Sequence, residues 1–204
     1  MLAEKTDDTV AARGEGTQVG KDNQQRHILV QTALRLFHER GYSKVTLADI
    51  AKAAGLSLKE TEDYFPSLQK ICHQVIEAHS DRQMAEFEII EQNSNPRQRL
   101  SLYLDTLVED TDVLISKGCP MTNLYFDVKR EDSELADHAA ELLQQRLGWI
   151  REQFVVITRV ENITDLPERL DSAIHGISIL AQVTGAPRLI QNQVNQLKSW
   201  IRSM

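Results

Sequence analysis

The side chains able to do chemistry are few and poorly grouped. The chain has two cysteines and six histidines among 204 residues. Cys72, His73 and His79 are the one local cluster with metal-ligand character. Neighbouring residues on a helix point about 100° apart, so this trio cannot converge on one ion, and no metal is expected. Gly14-x-Gly16 lacks the third glycine of a dinucleotide fingerprint and follows no strand. A phosphate-binding loop, H-E-x-x-H and G-x-S-x-G are all absent from the sequence. Neither catalysis nor a cofactor is expected, and an all-helical enzyme is the weakest reading. Cys119 is the more interesting thiol. Pro120 follows it as a first helical residue, so Cys119 is expected to be an N-cap, where free N–H groups and the helix dipole favour a thiolate. Against that, Lys117 is its only cationic neighbour, and Met121 and Leu124 point to burial. Cys72 lies on an apolar helical stripe and should be inert.

A different chemistry is written in the spacing of hydroxyls and carboxylates. Thr46-x-x-Asp49 and Ser57-x-x-Glu60 are two capping boxes eleven residues apart. Each starts a segment of about eight residues, and Ala54-Gly55-Leu56-Ser57 joins them. Two short capped helices around a glycine turn are the local requirement of a helix-turn-helix, whose second helix can enter a DNA major groove.

The elements that must position this unit are also helical. Leu29, Ala33, Leu36 and Phe37, then Leu47, Ile50, Ala51 and Ala54, then Leu68, Ile71, Cys72 and Val75, and finally Ile190, Val194, Leu197 and Ile201 recur at helical spacing. Four of five prolines follow a plausible N-cap, and Pro66 separates two periodic segments. Helices are expected near 22–40, 47–54, 58–64, 68–91, 96–116, 120–130, 134–160, 167–184 and 187–203. The fold class is all-α, with about nine helices. Residues 1–21 read as a flexible tail, 22–66 as a helix-turn-helix domain and 67–204 as a second helical domain.

Composition agrees. The chain is 41% hydrophobic and 26% charged, enough for a packed core, and no apolar run could span a bilayer. The first twenty residues carry no secretory signal, and two cysteines fit a reducing cytosol, so a cytoplasmic location is expected. The net charge is -7. Residues 21–80 carry eight bases and seven acids, whereas 81–204 carry thirteen and nineteen. That asymmetry allows a local polyanion site at the N-terminal end.

Ala33-Leu34-Arg35-Leu36-Phe37, Gly41-Tyr42, Thr46-Leu47-Ala48-Asp49-Ile50-Ala51, Ala54-Gly55-Leu56-Ser57 and Tyr64-Phe65-Pro66-Ser67 together resemble the TetR/AcrR-type transcriptional regulators. The resemblance implies a dimeric, ligand-responsive DNA-binding regulator, usually a repressor released by an inducer, with a homodimer through the helices near 167–184 and 187–203. Leu170, Ile174 and Ile177 are expected on the dimer face, with Gly176 permitting close approach. Matching positions make Lys44, Thr46, Ser57, Lys59, Thr61, Tyr64 and Lys70 the candidate contacts to double-stranded DNA. Two departures stand out. Glu62 replaces a common tyrosine, and Leu68 replaces a lysine, displaced here to Lys70. Either Glu62 or Asp63 reads a cytosine N4 group, or DNA binding is weakened and the protein acts through a protein partner. Gly118-Cys119-Pro120-Met121-Thr122-Asn123 is similar to a Gly-Cys-x-x-x-Asn segment in some of these regulators, in a few of which the cysteine senses electrophiles. The candidate contacts to a small-molecule inducer are Tyr103, Cys119, Asn123, Tyr125, Phe126 and Trp149, with His175 a further possibility.

Overall fold

The computed structural model describes residues 11–161 and 165–204. Ten α-helices and one 3-10 turn account for these residues: α1 (Ala11–Arg40), the turn Tyr42–Lys44, α2 (Leu47–Ala54), α3 (Leu58–Tyr64), α4 (Leu68–Glu91), α5 (Pro96–Glu109), α6 (Thr111–Lys117), α7 (Pro120–Glu131), α8 (Ser133–Thr158), α9 (Leu166–Thr184) and α10 (Pro187–Arg202). Pro96, Pro120, Pro167 and Pro187 each fall in the first turn of a helix, where the missing N–H is not needed.

Two boundaries differ from those read in the sequence. Helix α1 begins at Ala11 rather than near residue 22, so the expected tail is helical over 11–21, and residues 1–10 lie outside the described residues. Once the packed segment around Leu29–Phe37 is helical, each further residue adds a hydrogen bond without a new nucleation cost. The single helix expected over 96–116 is two, broken at Asp110. Neither glycine nor proline marks that break. The Thr111 hydroxyl donates to the Val108 carbonyl, and the redirected α6 packs against α9.

The interior forms two apolar clusters. The first joins Leu29, Leu36 and Phe37 of α1 to Ile50, Ile71 and Val75, and reaches Leu124, Val128 and Leu135 of α7 and α8. The second gathers Phe87, Leu100, Leu104, Trp149, Phe154, Leu170, Ile174, Ile177, Ile190, Val194 and Ile201. Leu170, Ile174 and Ile177 were expected to meet a second subunit, but they are buried here inside the chain's own core. The outward side of α9 carries Ile179, Leu180 and Val183, exposed by 60%, 50% and 78%. Gly176 lies one helical repeat before them, and a Cβ built there meets open space.

Candidate functional site

The helix-turn-helix is built by its caps. Thr46 and Ser57 each accept from the backbone N–H three residues ahead, and Asp49 and Glu60 accept in return from the N–H of their own N-cap. Gly55 closes α2 in the left-handed region at φ 75°, ψ 25°, a conformation that costs glycine little. The reversal lets α3 cross α2 with Thr61 and Phe65 turned inward.

Lys44, Thr46, Ser57, Lys59, Glu62 and Lys70 are all exposed on this unit. Their hydroxyls are less free than the sequence implies. Both Thr46 Oγ1 and Ser57 Oγ donate to a carboxylate at 2.5 Å, to Asp49 and Glu60 respectively. These bonds hold both carboxyls below their usual range, the side-chain hydrogen bond being the largest cause. An anion arriving at α2 would therefore meet the remaining first-turn amides of Leu47 and Ala48 before it met the Thr46 hydroxyl.

Thr61 does not face outward. It is fully buried, and its hydroxyl donates to the Ser57 carbonyl at 3.0 Å. With Ser57 as N-cap, Thr61 sits one turn on with its side chain in the interior, so it is unavailable to a base edge. Leu58 takes the outward place, 43% exposed. Tyr64 is half-buried; its hydroxyl donates to Asp22 of α1 at 3.3 Å, and the Arg26 guanidinium lies 5.7 Å from its ring centre. Sequence spacing had pointed to neither partner, because α1 lies forty residues earlier.

Behind this unit is a cavity of about 270 Å³. It is lined by His38 of α1, His79, Arg82, Gln83 and Glu86 of α4, Tyr103 and Thr106 of α5, Cys119 and Met121 at the start of α7, Arg146 of α8 and His175 of α9. Of the six expected ligand residues, Tyr103 and Cys119 reach this cavity. Trp149 is behind it, stacked on Phe87 at 4.4 Å, with its indole N–H donated to Glu91. Phe126 is 53% exposed. Tyr125 packs on the first apolar cluster and accepts from Lys129. Asn123 lines a smaller cleft beside Gly118 and Gln182, and its amide donates to the Lys117 carbonyl at 2.6 Å. The Gly-Cys-x-x-x-Asn segment is thus a tied turn, with Asn123 as the tie. Cys119 caps α7 without a side-chain cap bond. Cys72 is buried, and burial pushes its thiol up to about 12.

The polar wall of the cavity went largely unread in the sequence. One signal was present: the apolar stripe of α4 turns polar at His79, Gln83 and Glu86, which are spaced i, i+4, i+7. Burial raises the Glu86 carboxyl, and its Oε1 is buried with no hydrogen-bond partner among the described residues. Arg146, 2% exposed, donates to Asp171 at 2.9 Å and to His175 Nε2 at 2.6 Å. The other nitrogen of that ring lies 3.3 Å from Thr122 Oγ1.

His79 makes the protein acid-sensitive. Burial, reinforced by Arg82 and His38, lowers its pKa to about 4. In the unfolded chain it titrates near 6.5, so between those values the unfolded state binds the extra proton and stability falls as pH falls. Taking the protein from pH 7 to pH 5 is expected to cost about 2 kcal/mol through this group. Urea unfolding at both pH values checks it, and His79→Asn should flatten the difference.

Two contacts tie the end of α1 and the turn after it to α7 and the segment that leads into it. The His38 ring lies 3.1 Å from the Gly118 carbonyl. Asp127 of α7 accepts from the Tyr42 amide at 3.0 Å.

Comparison with known proteins agrees with this geometry. Residues 29–69 match the family described as "Bacterial regulatory proteins, tetR family". No curated protein sequence matches the chain. Solved structures do. A TetR-family transcriptional regulator from Agrobacterium tumefaciens superposes with a TM-score of 0.76 at 14% identity, covering 87% of this chain and 97% of that one. A TetR regulator from Chloroflexus aurantiacus gives 0.75 at 19%, covering 89% and 96%. E. coli NemR in its reduced form gives 0.72 at 17%, covering 86% and 97%. At such identities these likenesses bear on the fold alone. The chain thus carries a helix-turn-helix that matches the tetR family by sequence over residues 29–69, on a helical body with the fold of TetR-family regulators.

Proposed function

We propose that the protein is a dimeric, ligand-responsive repressor that binds an inverted-repeat operator and is released by a small-molecule or electrophile inducer. The observation that carries this reading is the cavity's position. Its wall includes His38 of α1 and His79, Arg82 and Glu86 of α4, the two helices that flank and carry the helix-turn-helix. A ligand that prefers one arrangement of α1 against α4 changes the placement of α3, and acts only through that difference in affinity. Residues 22–66 serve as the DNA-binding unit and 67–204 as the ligand-binding and dimerisation unit. On α3, Lys59 offers a cation, Leu58 an apolar contact for a thymine methyl, and Glu62 an acceptor for cytosine N4. Lys44, Lys70 and the first-turn amides that follow Thr46 and Ser57 meet phosphates. The dimer forms through α9 and α10, with Gly176, Ile179, Leu180 and Val183 in contact with their symmetry mates. The cavity mixes apolar walls with a few polar groups, the usual make-up of a small-molecule site.

A second reading rests on the acidic surface of α3, where Glu60, Glu62 and Asp63 are exposed against Lys59 alone. There the fold is kept, autonomous DNA binding is lost, and a protein partner is engaged instead.

A gel shift with the DNA upstream of the protein's own gene separates the two. Repressor binding should survive random competitor DNA and weaken linearly in log K against log salt. Leu180→Glu/Val183→Glu should yield a monomer by sedimentation and lose operator affinity by roughly a hundredfold or more, since each half-site then stands alone. No shift with any upstream fragment by the intact dimer would favour the second reading.

A further inference from the structure

We propose that His73, Glu77 and His138 form a site for a divalent transition-metal cation of the zinc type, fastening α4 to α8. His73 and Glu77 are four residues apart on α4 and so share one face. His138 comes from α8. One donor atom from each lies within 4.8 Å of the other two. His138 Nε2 is 2.7 Å from Glu77 Oε1, and the two imidazole rings lie 4.2 Å apart, tilted by 39°.

An ordinary ion pair explains only part of this arrangement. Glu77 and His138 suffice for a pair, yet a second imidazole is drawn to the same point. Among the described residues it lies against the ring of His138 and makes no hydrogen bond or ion pair. Protonating both rings would set like charges against each other. His138 Nδ1 is also buried and has no hydrogen-bond partner among the described residues. Two neutral imidazoles and one carboxylate are instead a familiar donor set for zinc, cobalt or nickel, and a poor one for the all-oxygen preferences of calcium and magnesium. Bonds of about 2.0–2.2 Å would place donors about 3.3 Å apart on a tetrahedron. The Glu77–His138 pair, at 2.7 Å, would open slightly, and His73 would close a spacing of at most 4.8 Å by up to about 1.5 Å, within reach of a rotamer change at this exposed side chain. Glu77 is also partly exposed, so water can complete the coordination.

The trio escapes sequence motifs because its third ligand lies sixty-one residues past Glu77. The assignment does not depend on the DNA-binding reading. Its consequence is mechanical: a cation here would pin the helix that leads out of α3 to the core helix beside it.

The test uses the untagged full-length chain, stripped with a chelator and dialysed. Zn²⁺ is added in a calorimeter, and Co²⁺ is followed by its visible absorption. One equivalent should bind per chain, and His73→Ala and Glu77→Gln should each weaken it roughly tenfold or more. His27→Ala, at an exposed histidine on α1, should leave it unchanged. Both test positions are at the surface, so the folded state survives them, and His138→Ala adds a third arm if its helical circular dichroism is intact. Absence of a stoichiometric site in the wild type, or equal binding in His73→Ala and Glu77→Gln, overturns the proposal.

Discussion

Gly41→Ala is expected to lower the free energy of unfolding by about 3 kcal/mol, the sum of backbone strain and one lost charge-assisted hydrogen bond. Gly41 has φ 86° and ψ 148°, a region essentially closed to residues with a Cβ. A Cβ there would lie 2.8 Å from Asp127 Oδ2, the oxygen that accepts from the Tyr42 amide. The aspartate can swing aside, but only by releasing that amide. A melting temperature lower by roughly 10 °C is the direct readout for a chain of this size. A double-mutant cycle with Asp127→Ala isolates the cause. With the carboxylate gone, Gly41→Ala should cost only its strain, about 1–2 kcal/mol. Equal cost in both backgrounds would mean that the clash contributes nothing. The contact ties the turn after α1 to α7, so its loss should also loosen α7 against the end of α1.

Asp171→Asn should be as damaging for an electrostatic reason. Burial alone would raise the Asp171 carboxyl. The neighbouring His175 imidazole and the Arg146 guanidinium outweigh burial and hold it below the usual range. Removing the carboxylate leaves Arg146, 2% exposed, charged and short of its counter-ion. Breaking one side of a buried pair costs about 3–5 kcal/mol. Arg146→Met/Asp171→Leu should recover most of that loss, because an apolar pair needs no compensation. Chemical denaturation of the three variants tests the ordering. The sign of the pH dependence is a second check. In the wild type the depressed carboxyl contributes stability above the unfolded value near 3.8, and that contribution is lost as pH falls through the lower folded value. Asp171→Asn should lack this acid limb. A double variant no more stable than Asp171→Asn alone would show that packing, and not charge, makes the network necessary.

The helix-turn-helix was legible because everything that defines it is local. Thr46, Asp49, Gly55, Ser57 and Glu60 act on amides within a few residues of themselves, so spacing alone reveals the two boxes and the turn. The four helix-starting prolines were legible for the same reason. The break at Asp110 was not, since it carries no glycine or proline and depends on α6 docking against α9. The inward turn of Thr61 was misread from its polarity, although a hydroxyl that bonds the preceding turn's carbonyl is an acceptable core side chain. Tyr103 and Cys119 were found at the cavity, while Trp149, Tyr125 and Phe126 were drawn in by their aromatic character and face elsewhere.

By itself the sequence determined the helices, their caps, the reversal at Gly55 and the family resemblance, because helical hydrogen bonds and caps close within four residues. Tertiary structure decided which polar groups share a space: His38 with Glu86 and Arg146 around one cavity, Asp127 on the Tyr42 amide, His73 beside His138. It also decided that Leu170, Ile174 and Ile177 turn inward while Ile179, Leu180 and Val183 remain outside. Each of these depends on how helices far apart in the chain rotate against one another, and that rotation is set by the packing of whole surfaces, which no short spacing encodes.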